Sequence, residues 1–143
     1  MSDDNAWQDG RSQTASSCLA RGRSLSNEGR YDEAIDSFLA AINADPDLLE
    51  AHEALWETAL LRKAAGEPAL GLFETMKLRR PTGSEKQRLL NALKQLAYDP
   101  TDFECVSDAF QSATKLELTH VTPWLTKMLR KMNADSSKPE PSL

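Results

Sequence analysis

Apolar residues recur at three- and four-residue spacing along most of the chain between residues 13 and 133. The period is clearest over residues 31–44, where the apolar positions fall on one face of a helix: Tyr31, Ala34, Ile35, Phe38, Ala41 and Ile42. No stretch alternates apolar and polar positions as a half-buried strand does, and β-branched residues are sparse. The pattern therefore predicts an all-α chain.

Local stop signals divide this pattern into six main helices and one short one. A glycine, which accepts left-handed backbone, ends a helix at Gly29 and another near Gly66. An Asp-Pro step ends a helix at Asp45 and at Asp99, because the residue before a proline is pushed out of helical geometry. The predicted helices span about 14–28, 31–44, 47–64, 68–78 (the short one), 85–97, 102–114 and 123–133.

Start signals support the last three of these helices. A Ser or Thr three residues before a Glu or Gln has the spacing of a capping box, and a Thr before a first-turn proline is a favoured N-cap. The pairs with these relations are Ser84 with Gln87, Thr101 with Glu104, and Thr122 with Pro123. Both chain ends, residues 1–12 and 134–143, have no sustained period, so we expect a disordered tail at each end.

Residues 15–48 carry the spacing of a known helical repeat. They match the pattern W-x2-L-G-x2-Y, A-x3-F, P, with its slots held in order by Cys18, Arg21, Gly22, Leu25, Ala34, Phe38 and Pro46. Small residues at Gly22 and Ala34 allow two helices to cross closely, and Phe38 fills the space beside them. The segment resembles a tetratricopeptide (TPR) repeat, with Cys18 and Arg21 departing from the Trp and Leu of that pattern.

A second repeat begins thirty-four residues later but can be completed in two ways. His52, Leu55, Trp56 and Ala59 repeat the first half of the pattern, with Trp56 where a small residue is expected. Either the segment around Ala69, Phe73 and Pro81 supplies its second helix, or residues 66–83 are an insertion and helix 85–97 is the partner. Met76–Pro81, Tyr98–Thr101 and Asn133–Ser136 also resemble segments of bacterial TPR proteins, which favours the insertion.

The resemblance implies a right-handed α-solenoid of about three helical hairpins. Its domain would span residues 13–133, with repeats at about 15–48, 49–100 (including the insertion 66–83) and 101–133. Each hairpin of such an array buries its apolar face against its neighbours. The first helices of the pairs would line a concave face, which implies a groove for a protein segment. The resemblance places these side chains in that groove: Leu19, Arg23, Asn27, Glu53, Glu57 and Leu60.

The charge distribution suggests which partner that groove would bind. Residues 1–60 hold 4 Lys and Arg against 12 Asp and Glu, whereas residues 61–143 hold 13 against 10. We therefore expect an interaction module or scaffold that binds another protein or peptide, basic or mixed basic-apolar, with self-association as another use of the same surface. The alternative is a regulatory protein that contacts nucleic acid or an acidic partner through the basic stretch 77–94, although the acidic half disfavours a general nucleic-acid grip.

Enzyme chemistry finds little support in the sequence. Cys18 and Cys105 are far apart without a CxxC motif, so no zinc site or disulfide framework is indicated. His52 lies on an apolar helical face, so we expect it to be packed in the core. His120 lies in the turn before the last helix. No nucleophile elbow, metalloprotease motif or phosphate loop is present, so we expect no enzyme, cofactor or metal. An acidic start and the lack of a long apolar run indicate a cytoplasmic protein without a membrane segment.

The repeat prediction can be tested at its closest helix crossing. Ala34→Leu adds methylene groups where the first two helices are predicted to touch, so it should lower the free energy of unfolding by about 1–3 kcal/mol. Urea denaturation measures the change. An unchanged midpoint would show that residue 34 is not at a tight crossing.

Overall fold

Seven α-helices and the turns between them make up the described part of the chain, which contains no strand. The computed structural model describes residues 3–135, with side chains from residue 12 onward. In chain order the helices are α1 (Asp3–Asn27), α2 (Tyr31–Ala44), α3 (Leu49–Ala64), α4 (Leu72–Leu78), α5 (Glu85–Tyr98), α6 (Phe103–Lys115) and α7 (Val121–Ala134). The all-α prediction is confirmed.

The first helix is longer than the sequence predicts. It begins at Asp3 rather than near residue 14, so residues 3–12 of the expected N-terminal tail are helical in the structure. Residues 1, 2 and 136–143 lie outside the described residues, and with them most of the expected C-terminal tail. Gly29 and Gly66 follow α1 and α3 with φ values of 79° and 77°, which confirms the two predicted glycine stops.

Two of the three predicted helix starts need correction. Ser84 caps α5 as predicted, because its hydroxyl accepts a hydrogen bond from the Gln87 amide at 3.2 Å. At α6 the N-cap is Asp102 and not Thr101: the Asp102 carboxylate accepts from the Cys105 amide at 3.2 Å. The Thr101 hydroxyl instead donates to Asp99 at 2.6 Å, which takes it away from the helix end.

The third start, that of α7, is capped by a residue from a distant part of the chain. The helix begins at Val121, so Thr122 is inside the first turn and is not the N-cap. The carboxylate of Asp47, in the α2–α3 turn, accepts hydrogen bonds from the amides of His120 at 3.0 Å and Val121 at 3.1 Å. It also accepts from the Thr119 hydroxyl at 3.1 Å. One carboxylate therefore fixes the start of α7 to the end of the first helical pair.

A tight helix crossing lies between α1 and α2, where the repeat pattern predicts it. Ala34 is fully buried, and a Cβ added to Gly22 would lie 2.4 Å from Cε1 of Phe38. The α2 face predicted from periodicity is confirmed, since Ala34, Ile35, Phe38, Ala41 and Ile42 are all buried. This face contacts α1, α3 and α5, so α2 is the central element of the core.

The direction of α5 changes the interpretation of the second repeat. At the C-terminal ends of α3 and α5, the guanidinium of Arg62 lies 4.2 Å from the centre of the Tyr98 ring. At the N-terminal end of α5, Nζ of Lys86 lies 3.4 Å from the carbonyl oxygen of Asn43, in the last turn of α2. Thus α5 runs parallel to α3 and antiparallel to α2. A helical hairpin needs antiparallel helices, so α3 and α5 do not form the predicted hairpin of residues 49–100.

In the alternative alignment, α4 is the second helix of the repeat that begins with α3. The two helices follow each other in the chain, but α4 does not pack closely on α3. None of the residues of α4 is buried, and its main packing contact is with α5. The apolar groups of α3 are covered instead by α2 and α5. The half-buried Trp56 and Trp124 lie beside Leu93 of α5, in the space between α3, α5 and α7. The repeat pattern expects a small residue at position 56. The bulky Trp56 is consistent with helices that do not pack there as a regular hairpin.

The Asp47 cap gives a test of how the last helix is held. Asp47→Ala removes an acceptor shared by two backbone amides and a hydroxyl, so it should lower the free energy of unfolding by about 1–3 kcal/mol. It should also speed hydrogen exchange at the start of α7. Asp36→Ala, at an exposed position on α2, is the matched control and should leave both unchanged. Equal stability of the two variants would contradict the assigned role of Asp47.

Candidate functional site

An open groove lies between α1 and α3, with α2 beneath it. Its volume is about 380 Å³. Phe38 and Ala54 lie at its floor and are buried, while its rims carry polar and charged side chains from both helices. Gly22 of α1 is in tight contact with the Phe38 ring of α2, so the two helices pack closely. Phe38 thereby lies at the base of the groove.

The structure brings four of the six predicted groove residues together. Arg23 and Asn27 of α1 face Glu53 and Glu57 of α3 across the groove. Leu19 does not line the groove: it is only 6% exposed and belongs to the hydrophobic core, because it lies one turn after the buried Ala15.

Leu60 is the other predicted residue outside the groove. It is 46% exposed but does not line the groove, whereas its neighbour Leu61, 51% exposed, does. Leu61 lies four residues after Glu57 on the same helical face, and Leu60 is turned away by about one-quarter of a turn.

Several lining residues were not anticipated from the repeat pattern. Glu50, Thr58 and Leu61 share a face of α3 with Glu53 and Glu57, and all five line the groove. The signal for them was present in the sequence, because positions three and four apart on a helix are neighbours. Ser26 of α1 was also missed, and its hydroxyl hydrogen-bonds that of Thr58 at 3.0 Å across the groove.

The groove is acidic. Three carboxylates, Glu50, Glu53 and Glu57, follow one face of α3 and are exposed. Arg23 is the cation opposite them, and its guanidinium lies 3.7 Å from the carboxylate of Glu50. Within the described residues, Glu53 and Glu57 have no salt-bridge partner. Their charges therefore remain available to a cationic ligand.

A second groove, of about 480 Å³, lies between α5, α6 and the turn after α4. Its cations are Arg79, Arg80, Arg88 and Lys115. Acidic side chains stand among them: Glu85, Glu104 and Asp108 also line the groove. Arg88 pairs with Glu85 at 2.8 Å, and the Arg79 guanidinium donates to Gln95 at 3.1 Å. The groove therefore has mixed charge.

The basic stretch 77–94 is not gathered on one surface. Arg79, Arg80 and Arg88 line the second groove, whereas the others do not. Lys77 lies 3.8 Å from Glu74 on α4, and Lys86 reaches the end of α2. A continuous basic face, as nucleic acid binding requires, is not formed by this stretch.

The cysteines are placed as packed thiols. Cys18 is half-buried and Cys105 is buried. Burial, with a hydrogen bond to Asp102, raises the pKa of Cys105 to about 12, so this thiol stays protonated and is a poor nucleophile. Among the described residues, no cluster of three His, Cys, Asp or Glu side chains could hold a metal ion. None of the described helices has the length and apolar character needed to cross a membrane.

His52 is a buried histidine, as predicted from its apolar helical face. Its Nε2–H donates to the carbonyl oxygen of Pro46 at 2.9 Å, while Nδ1 has no partner among the described residues. Its ring meets that of Trp124 edge to face, with 6.4 Å between ring centres. Burial lowers the pKa of His52 to about 4, and the nearby Asp45 and Asp47 offset only part of that effect.

This pKa predicts how stability depends on pH. The unfolded chain takes up the His52 proton near pH 6.5 and the folded chain only near pH 4, so the contribution of His52 is complete above about 6.5 and is lost as pH falls toward 4. We expect this loss to be roughly 2–4 kcal/mol, measured by urea denaturation across that range. His52→Gln should flatten the dependence, whereas His120→Gln, which leaves His52 in place, should retain it. A dependence unaltered by His52→Gln would contradict this assignment.

Known proteins offer no guide to this site. Comparison of the chain with models of protein families, with curated proteins and with solved structures finds no match.

Proposed function

We propose that this protein is a cytoplasmic, TPR-like interaction module that binds a basic or mixed basic-apolar protein segment in the groove between α1 and α3. The observation that carries the proposal is the row of Glu50, Glu53 and Glu57 along one rim, above an apolar floor. The binding role would be that of a scaffold rather than of an enzyme.

The shape of the groove supports an extended or helical segment as ligand. Two long helices form parallel rims, and the rim of α3 presents side chains at every turn from Glu50 to Leu61. Followed from the N-terminal end of α3, a ligand in the groove would contact the carboxylates of Glu50, Glu53 and Glu57 and then the exposed Leu61. Such spacing suits a segment that has cationic residues along one side and an apolar residue near one end.

The charges support a cationic ligand in particular. Like charges held along a groove raise the local potential, and a partner of opposite charge relieves it. Arg23 neutralises part of this charge through Glu50, but Glu53 and Glu57 lie on the opposite rim without a cation of their own among the described residues. A basic segment would gain two ion pairs without breaking one that exists.

The alternative, a contact with nucleic acid or an acidic partner through residues 77–94, has weaker support. Its cations are divided between the second groove, α4 and the end of α2, and Glu85, Glu104 and Asp108 lie among those in the groove. Acidic groups in such a surface would repel phosphates. A heparin column run with a salt gradient tests this alternative directly: retention to high salt would favour it.

The proposal is tested with three fluorescent peptides that share their leucines and differ only in carrying lysine, glutamate or serine between them. We expect the lysine peptide to bind most tightly and to lose affinity as salt rises from about 0.05 to 0.5 M, because exposed charges are screened. Glu53→Lys with Glu57→Lys should weaken its binding at least about tenfold, as measured by fluorescence anisotropy.

A matched control separates the groove from net charge. Asp36→Lys with Glu67→Lys makes the same change in net charge at exposed positions that do not line the groove. This variant should bind the lysine peptide nearly as the unaltered protein does. Equal loss in both variants would mean that only the overall charge matters, and no loss in either would place binding elsewhere.

A further inference from the structure

The large hydrophobic side chains that the described part of the chain leaves exposed fall in two places. Leu60 and Leu61 lie near the end of α3, beside the acidic groove. Leu72, Phe73 and Met76 lie on α4 and are 79%, 66% and 59% exposed. Exposed apolar side chains that cluster in this way mark interaction surfaces more often than isolated ones do.

The helix α4 and the turn after it combine these apolar side chains with cations. Nζ of Lys77 lies 4.8 Å from the centre of the exposed Phe73 ring. Arg79 and Arg80 follow at the end of the helix and are exposed. Within the eight residues 73–80 the chain therefore presents Phe73, Met76 and three cations, which is the basic-apolar chemistry that the acidic groove is proposed to bind.

The two surfaces do not meet within one molecule. The described residues that line the groove belong to α1, α2 and α3, and the main packing contact of α4 is with α5. Within residues 3–135 no helix covers the apolar face of α4, since none of the residues of α4 is buried. An acidic groove and a basic-apolar helix on separate parts of the molecule can be brought together only by a second copy.

We propose that the segment Leu72–Arg80 of one copy binds the α1–α3 groove of another. This inference rests on the proposed function, because it names one occupant of that same groove. Lys77 and Arg80 pair with Glu53 and Glu57 of the neighbouring copy, and Phe73 and Met76 contact its Leu61. The contact is head-to-tail, so a pair of copies retains one free groove and one free α4, and further copies add as the concentration rises.

The experiment is sedimentation velocity of the full chain over a wide range of concentration, at low and high salt. The unaltered protein should show a mass that rises with concentration and falls toward that of one copy as salt increases. Two charge-reversed variants follow, one in each surface: Glu53→Lys with Glu57→Lys, and Lys77→Glu with Arg80→Glu. Each alone should raise the apparent dissociation constant at least about tenfold.

Mixing the two variants is the decisive arm. The first has a basic groove and a basic α4, and the second has an acidic groove and an acidic α4. Copies of the same variant therefore repel each other. In the mixture, the basic groove of the first variant meets the acidic α4 of the second, and the acidic groove of the second meets the basic α4 of the first. We expect the equimolar mixture to associate as the unaltered protein does. Far-UV circular dichroism of each variant checks that the helices are intact, and Asp36→Lys with Glu67→Lys serves as the charge-matched control for the groove variant.

Three outcomes would overturn the inference. The unaltered protein could stay a single copy at all concentrations in low salt, the α4 variant could associate like the unaltered protein, or the mixture could fail to associate. Failure of the proposed function is seen separately, as absence of lysine-peptide binding. If the peptide binds but the chain does not associate, the groove has an external ligand and the self-association proposed here is wrong.

Discussion

The contact between Gly22 of α1 and Phe38 of α2 governs both the core and the candidate site. A Cβ at residue 22 would lie 2.4 Å from the Phe38 ring, so only glycine lets the two helices approach this closely. The approach buries the whole apolar face of α2, which then packs against α3 and α5 as well. The same ring forms the floor of the groove between α1 and α3. Core packing and the shape of the candidate site therefore depend on one close contact.

Besides this apolar contact, a set of hydrogen bonds at the α2–α3 turn connects that turn to α3 and α7. Asp47 holds the start of α7, and the carbonyl oxygen of Pro46 accepts from the buried ring of His52, which in turn meets Trp124 of α7. Burial raises the pKa of Asp47, but hydrogen bonds from His120, Val121 and Thr119 outweigh that effect and lower it below its ordinary value. The carboxylate is therefore charged at neutral pH, which is the form that caps a helix best.

Much of the fold could be predicted from local signals, because helix stops and apolar faces act within a few residues. The bounds of α2, the buried face with Phe38 and the close approach at Gly22 are of this kind. The start of α7 could not be predicted in the same way, since its cap comes from Asp47, far away along the chain. The direction of α5 relative to α3 could not be predicted either. The Asp-Pro steps at 45–46 and 99–100 mark where a helix ends, but they carry no information on how that helix packs against its neighbours. In the site, the carboxylates of α3 follow from helical periodicity, whereas the burial of Leu19 depends on which face of α1 meets α2.

The acidic groove between α1 and α3 is the proposed binding surface of this protein. Amide chemical-shift mapping by NMR, with the lysine-containing peptide added stepwise at low salt, tests it most directly. We expect the largest shifts at four residues that line the groove, Arg23, Asn27, Glu53 and Glu57, and we expect them to become smaller as salt screens the carboxylates. Shifts confined to the second groove around Arg79 and Arg88, or no shifts at saturating peptide, would contradict it.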